Sequence, residues 1–113
     1  MSHYELPVFK SALDLCVYIE TIVKSFDKYH KYTIGADMRT FSKDLLFGIN
    51  RVGLAKDKTN ALIGVRNRCE DMKMLLLLAK ELQSFKSFKQ FEHSSLLSVE
   101  VCKQLQGWLK SSQ

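Results

Sequence analysis

Proline occurs once in this 113-residue chain, at Pro7, and the five glycines are scattered singly along it. So little turn-forming punctuation argues against a linker-rich chain and against a sandwich of many short strands, and leaves long helices as the default. Cysteine is scarce as well. Cys16, Cys69 and Cys102 are odd in number, far apart, and each falls within an apolar helical pattern. They read as three buried thiols in a reducing cytoplasm. The longest wholly apolar run, Met74 to Ala79, is far too short to cross a bilayer, and no charged-then-apolar leader opens the chain. No membrane partner is expected, and the expected location is cytoplasmic.

Chemistry-bearing clusters are missing too. His3, His30 and His93 are separated by long spacers, so neither a Cys-His nucleophile nor a zinc set has recognisable local spacing. Glu70 and Asp71 are adjacent, but neighbours on a helix point about 100° apart and cannot act on one substrate atom. Pairing with Arg66, Arg68 or Lys73 accounts for them better. The expectation is no catalytic residue, no metal, no cofactor and no enzyme activity.

The length suits one domain with its own core. Its 17 Lys and Arg exceed 12 Asp and Glu, a formal +5 that favours polyanionic partners without requiring one.

The clearest pattern runs from Ala61 to Leu82. Leu62, Val65, Cys69, Met72, Leu76, Ala79 and then Leu82 or Gln83 recur at steps of three and four, the signature of a helix with one face turned to other helices. Arg66, Lys73 and Lys80 follow at steps of seven beside that seam. Three further helices flank it. The first spans about 6–26, with Phe9, Leu13, Cys16, Ile19, Val23 and Phe26 as its seam and Leu15, Tyr18 and Ile22 on a second apolar stripe. The second spans about 33–54, starting from Thr33 as a candidate N-cap, with Ile34, Met38, Phe41, Leu45, Ile49 and Val52 inward. The central helix takes about 58–84. The last, about 88–109, follows a Ser87-x-x-Gln90 capping box and turns Phe91, Leu97, Val101, Leu105 and Trp108 inward. Short connections between them predict an all-α, antiparallel up-down-up-down four-helix bundle in a single domain, 1–113.

Two sets of residues ask for partners. Leu15, Tyr18, Ile22, Leu77 and Leu78 exceed what one partner helix covers, and Gly107 beside Trp108 removes a side chain where another helix or subunit could approach. These seven are the candidates for oligomer contact or packing. The second set is basic. Asp27-Lys28-Tyr29-His30-Lys31-Tyr32 alternates cations with tyrosines, a composition suited to phosphates and bases and equally to a solvated connection. With Arg39, Lys43, Arg51, Lys56, Lys58, Arg66, Arg68 and Lys73, Lys28 and Lys31 make up the candidate nucleic-acid or partner contacts, and the stretch from Lys28 to Lys43 is the cleanest surface. Solvated faces with local ion pairs explain many of the same positions.

Two stretches resemble a known family. Lys31-Tyr32-Thr33-Ile34-Gly35-Ala36-Asp37-Met38-Arg39 and Val99-Glu100-Val101-Cys102-Lys103-Gln104-Leu105-Gln106-Gly107-Trp108-Leu109-Lys110 are similar to the accessory variability determinant (Avd) proteins of diversity-generating retroelements. The likeness covers nearly the whole chain. Glu100, Leu105, Gly107 and Trp108 match the pattern near the family's C-terminus, whereas Cys102 and Gln106 stand where it has glycines, and Phe26-Asp27-Lys28 lacks its proline. The resemblance implies a homopentamer of basic four-helix protomers that binds a reverse transcriptase and RNA or DNA during mutagenic copying of a template repeat. A related branch, encoded in intervening sequences of ribosomal RNA genes, offers the alternative of a stand-alone bundle with a structural or RNA-associated role. A purely structural self-assembling protein and a small metal- or nucleotide-dependent enzyme are the readings from other classes.

Overall fold

The computed structural model describes residues 6–112. Those residues form four long helices and one short one: α1 (Pro7–Val23), α2 (Lys28–Tyr32), α3 (Ile34–Val52), α4 (Lys58–Glu81) and α5 (Phe88–Ser112). No strand occurs among the described residues. Pro7 occupies the first turn of α1, where its fixed φ suits the helix and its missing N–H costs nothing. His3 lies outside the described residues.

The long helices close a ring: α1 packs against α3 and α5, and α4 packs against the same two. The body measures 42 × 20 × 20 Å, the length of helices of this size laid side by side. The seam residues expected for the central helix from Leu62 to Ala79 are buried on α4, but the last expected position is not: Leu82 and Gln83 are both exposed, because the helix ends at Glu81. On α3 all but half-buried Phe41 of the expected seam are buried, with Ser42 and Gly48 added. Gly48 permits a close approach, because a Cβ there would stand 2.9 Å from Val65 Cγ2 on α4.

The structure changes the reading of α1. Leu15 and Ile22 belong to the chain's own core, while Leu13 lies exposed with Val17. With neighbours on two sides, α1 buries part of each apolar stripe inside the bundle, so Leu15 and Ile22 serve packing within one chain. Tyr18 is half-buried against α5, its ring edge-on to His93 at a centroid distance of 4.5 Å.

On α5 the interior positions are smaller than periodicity suggests. Ser94 and Ser98 are buried, whereas Phe91, Leu97 and Trp108 lie half-buried at the margin. Both serines satisfy themselves along their own helix: Ser94 Oγ donates to the carbonyls of Gln90 and Phe91, and Ser98 Oγ to that of Ser94. Small side chains here let α4 come close. Cys69 on α4 and Cys102 on α5 consequently have Cα atoms 5.9 Å apart and form a disulfide, which corrects the expectation of three thiols. Cys16 alone stays free, buried and donating to the carbonyl of Ser42 at 3.0 Å. Burial pushes its thiol pKa up, a shift that the hydrogen bond to Ser42 partly opposes.

The connections differ from expectation in detail. The stretch expected as a plain connection after the first helix contains α2, a helical turn capped by Asp27. Thr33 does not cap α3 with its side chain. Its hydroxyl donates back to the carbonyl of Tyr29. The Ser87 hydroxyl accepts from the Gln90 amide at 3.4 Å, but the Gln90 side chain accepts from the amide of Lys86, one residue short of a closed capping box. No helix among the described residues is long and apolar enough to cross a membrane.

Candidate functional site

One end of the bundle gathers the end of α1, all of α2, the start of α3, the end of α4 and the start of α5. Packing fixes this junction. Gly35 lies so close beneath α2 and α1 that a Cβ would meet the His30 carbonyl oxygen and Val23 Cγ1, each at 2.9 Å. Buried Phe26 meets Phe85 edge to face at 5.6 Å, and Gln90 Nε2 donates to Ser25 Oγ at 3.4 Å. α2 is held by a carboxylate: Asp27 accepts from the backbone N–H of His30 at 3.0 Å, and its second oxygen lies 2.6 Å from His30 Nδ1. These hydrogen bonds, the backbone one foremost, hold the Asp27 carboxyl below its ordinary pKa.

The junction is basic and aromatic. Lys24, Lys28, Lys86 and Lys89 are exposed, Lys31 is half-exposed, and Tyr29 and Tyr32 stand in solvent at about 70% of their full area. Lys24 and Lys31 share the wall of a shallow cavity of about 120 Å³ with Glu20, Val23 and Arg39. Such a surface attracts phosphates over a distance and offers ring faces for bases at contact.

The basic residues expected from sequence do not form one patch. Lys28 and Lys31 are at the junction. Arg39 is next to it but engaged, its Nε–H shared between both carboxylate oxygens of Glu20 at 2.9 and 3.0 Å. Exposed Lys43 continues along α3, whereas Arg51 and Lys56 belong to the far end. There Lys58 caps α3, donating to the carbonyls of Val52 and Gly53. On α4, Lys73 pairs with Glu70 at 2.9 Å, Arg68 shares a cavity of about 210 Å³ with Asp44 and Asp71, and Arg66 is half-buried. The regular line of Arg66, Lys73 and Lys80 is thus partly tied up within the protein.

The candidate oligomer contacts divide as well. Leu77 and Leu78 are exposed and continue into Met74 and Leu82, an uncovered apolar stripe on α4. A Cβ added at Gly107 would meet nothing within 4 Å, so no helix of its own chain uses the space. Trp108 packs at the core margin and lines an apolar cavity of about 260 Å³ with Leu6, Pro7, Val8 and Gln104.

Lys86 and Lys89 are not among the basic residues expected from sequence, although their signal is there. Phe85-Lys86-Ser87-Phe88-Lys89-Gln90-Phe91 interleaves cations with aromatics as Lys28 to Tyr32 does. No group of three or more His, Cys, Asp or Glu able to hold a metal occurs among the described residues.

Compared with known proteins, the chain matches the family model described as bAvd-like over residues 8–112. A search of curated proteins gives no match.

Proposed function

Because the chain belongs to the bAvd-like family, we propose that it is a non-catalytic accessory protein of a diversity-generating retroelement, binding a reverse transcriptase and nucleic acid while a template is copied mutagenically. Four helices that pack in chain order through short connections support an up-down-up-down bundle. The protomers assemble as a homopentamer in the cytoplasm. The apolar stripe of Met74, Leu77, Leu78 and Leu82 supports self-assembly, since a contiguous exposed stripe of this kind is costly in water unless covered.

The observation that carries the nucleic-acid part is the junction, where Lys24, Lys28, Lys31, Lys86 and Lys89 stand around exposed Tyr29 and Tyr32. Lysines supply affinity through phosphate contact and counterion release, which is insensitive to sequence. An adaptor that follows a template of changing sequence needs that kind of binding. Cys16, a buried and protonated thiol already hydrogen-bonded to a backbone carbonyl, lacks the character of a nucleophile, in keeping with a role without chemistry.

The test is solution mass together with binding of labelled RNA and DNA at 50 and 200 mM salt. An oligomer whose affinity falls steeply with salt is expected. A monomer indifferent to both nucleic acids would defeat the proposal. Co-expression with the reverse transcriptase of a diversity-generating retroelement, followed by co-purification, tests the other partner.

A further inference from the structure

A cleft at the α4 to α5 turn sets lysines beside aromatic rings. It encloses about 290 Å³ and is lined by Lys80, Gln83, Phe85, Lys86, Phe88 and Phe91, with Ser87 at its edge. Gln83 adopts a left-handed backbone, φ 60°, which ends α4 sharply and turns the chain to form one wall. The rings form a chain from core to solvent. Phe26 is buried and meets half-buried Phe85, Phe85 lies 5.8 Å from Phe91, and Phe91 lies 5.7 Å from Phe88. Phe88, the outermost, is 63% exposed. Lys80 Nζ stands 5.3 Å over the Phe91 ring, so its charge is held at the cleft. Glu81 is 3.8 Å from the same ammonium, too far for a tight pair.

Folding alone gives no reason to leave the Phe88 ring in water while its neighbours support it from behind. We propose that the cleft is a nucleotide subsite for single-stranded nucleic acid, in which a base stacks on Phe88 and the adjoining phosphate sits between Lys80 and Lys86. This rests on the nucleic-acid reading above and adds to it a specific preference. A duplex keeps its bases stacked on one another and has no free face for Phe88, so the subsite favours unpaired strands. The charge of the site decides against an apolar partner: Lys80 and Lys86 line the cleft with the ring, and burying two ammonium groups against an uncharged surface is unfavourable. Gln90, two residues on in α5, donates to Ser25, so the cleft and the Lys24 and Lys28 surface belong to the same end of the bundle.

The experiment measures anisotropy of a labelled 20-nucleotide oligo(dT) and of a 20-base-pair duplex with the full-length protein, its Phe88→Ala variant and its Phe88→Trp variant, with solution mass for each. Phe88→Ala is expected to weaken oligo(dT) binding about ten-fold, to leave duplex binding and the salt slope within two-fold, and to keep the mass of the assembly. Phe88→Trp is expected to restore binding. Equal oligo(dT) affinity for Phe88→Ala and the parent would overturn the subsite while leaving the basic junction as a binding surface. Loss of assembly in Phe88→Ala would also overturn it, since the ring would then be a contact between copies. If the parent protein binds neither probe, the function proposed above fails together with the subsite.

Discussion

Arg39 on α3 and Glu20 on α1 are joined by a shared hydrogen bond, the guanidinium Nε–H lying 2.9 and 3.0 Å from the two carboxylate oxygens. The pair straddles two helices at the edge of the basic junction and neutralises a cation that would otherwise face a ligand. Both side chains are more than a third exposed, so solvent screening limits its worth for stability to well under about 1 kcal/mol.

The first prediction concerns that pair. Arg39→Gln is expected to leave oligonucleotide affinity within two-fold, while Lys28→Gln combined with Lys31→Gln weakens it and lowers the salt slope by roughly 0.7 for each phosphate no longer neutralised. Glu20→Gln, by releasing Arg39, is expected to strengthen binding. Anisotropy titrations across a salt series measure all three, and a large loss for Arg39→Gln alone would show that the ion pair opens on binding.

Gly35 makes the second. An added methyl would press on the backbone carbonyl of His30 and on Val23 Cγ1, and the carbonyl cannot swing aside as a side chain does. Despite the better helix propensity of alanine, Gly35→Ala is expected to lose about 1–3 kcal/mol in urea unfolding. Gly107→Ala, with open space around it, is expected to gain up to about 1 kcal/mol within the folded chain.

Acid should loosen α2 through Asp27. Its folded-state pKa is lowered, chiefly by the backbone N–H of His30 and next by the His30 side chain. A lowered carboxylate pKa means stability that is present above the unfolded value, near 3.9, and is lost as pH falls through the folded value. Amide exchange at Lys31 and Tyr32 is expected to speed up, beyond its intrinsic pH dependence, over that interval. Asp27→Ala should remove the transition, and a transition that persists in this variant would assign it to another group.

The α4 to α5 disulfide gives the fourth prediction. Cys69 and Cys102 are 33 residues apart in sequence, and closing a loop of that size restricts the unfolded chain by about 3–4 kcal/mol. Adding a reductant should lower Tm on the order of 10 °C. Cys16→Ala is expected to keep the response and Cys69→Ala to abolish it, as read by calorimetry.

Much of the fold was legible because helices are local. The α4 seam follows from residues three and four apart, and its expected members from Leu62 to Ala79 are buried, whereas Leu82 and Gln83, past the end of the helix, are exposed. α1 was harder. Two apolar stripes lie side by side on it, and periodicity cannot tell which stripe meets a neighbour in the same chain and which faces outward. The same limit hid the two small serines of α5, which sit inside because α4 approaches there and because each hydroxyl can bond back to its own helix.

The basic site was legible only as an inventory. Charge along a sequence does not reveal which ammonium groups cap a helix, as Lys58 does, or pair with an acid one turn away, as Lys73 does.

By itself, then, the sequence determined the four long helices, most of the inward faces of α3 and α4, and the family to which the chain belongs, since each depends on spacing within a continuous stretch. Only the tertiary structure decided that Cys69 meets Cys102, that Arg39 is held by Glu20, and that Lys80 and Phe88 share an end of the bundle with Lys24 and Lys28. Those relationships join residues far apart in the chain, and helix packing sets the distances between them. Under the proposed subsite, the central helix acts less through its regular line of cations than through its last turn, where Lys80 leans over Phe91 beside the exposed ring of Phe88.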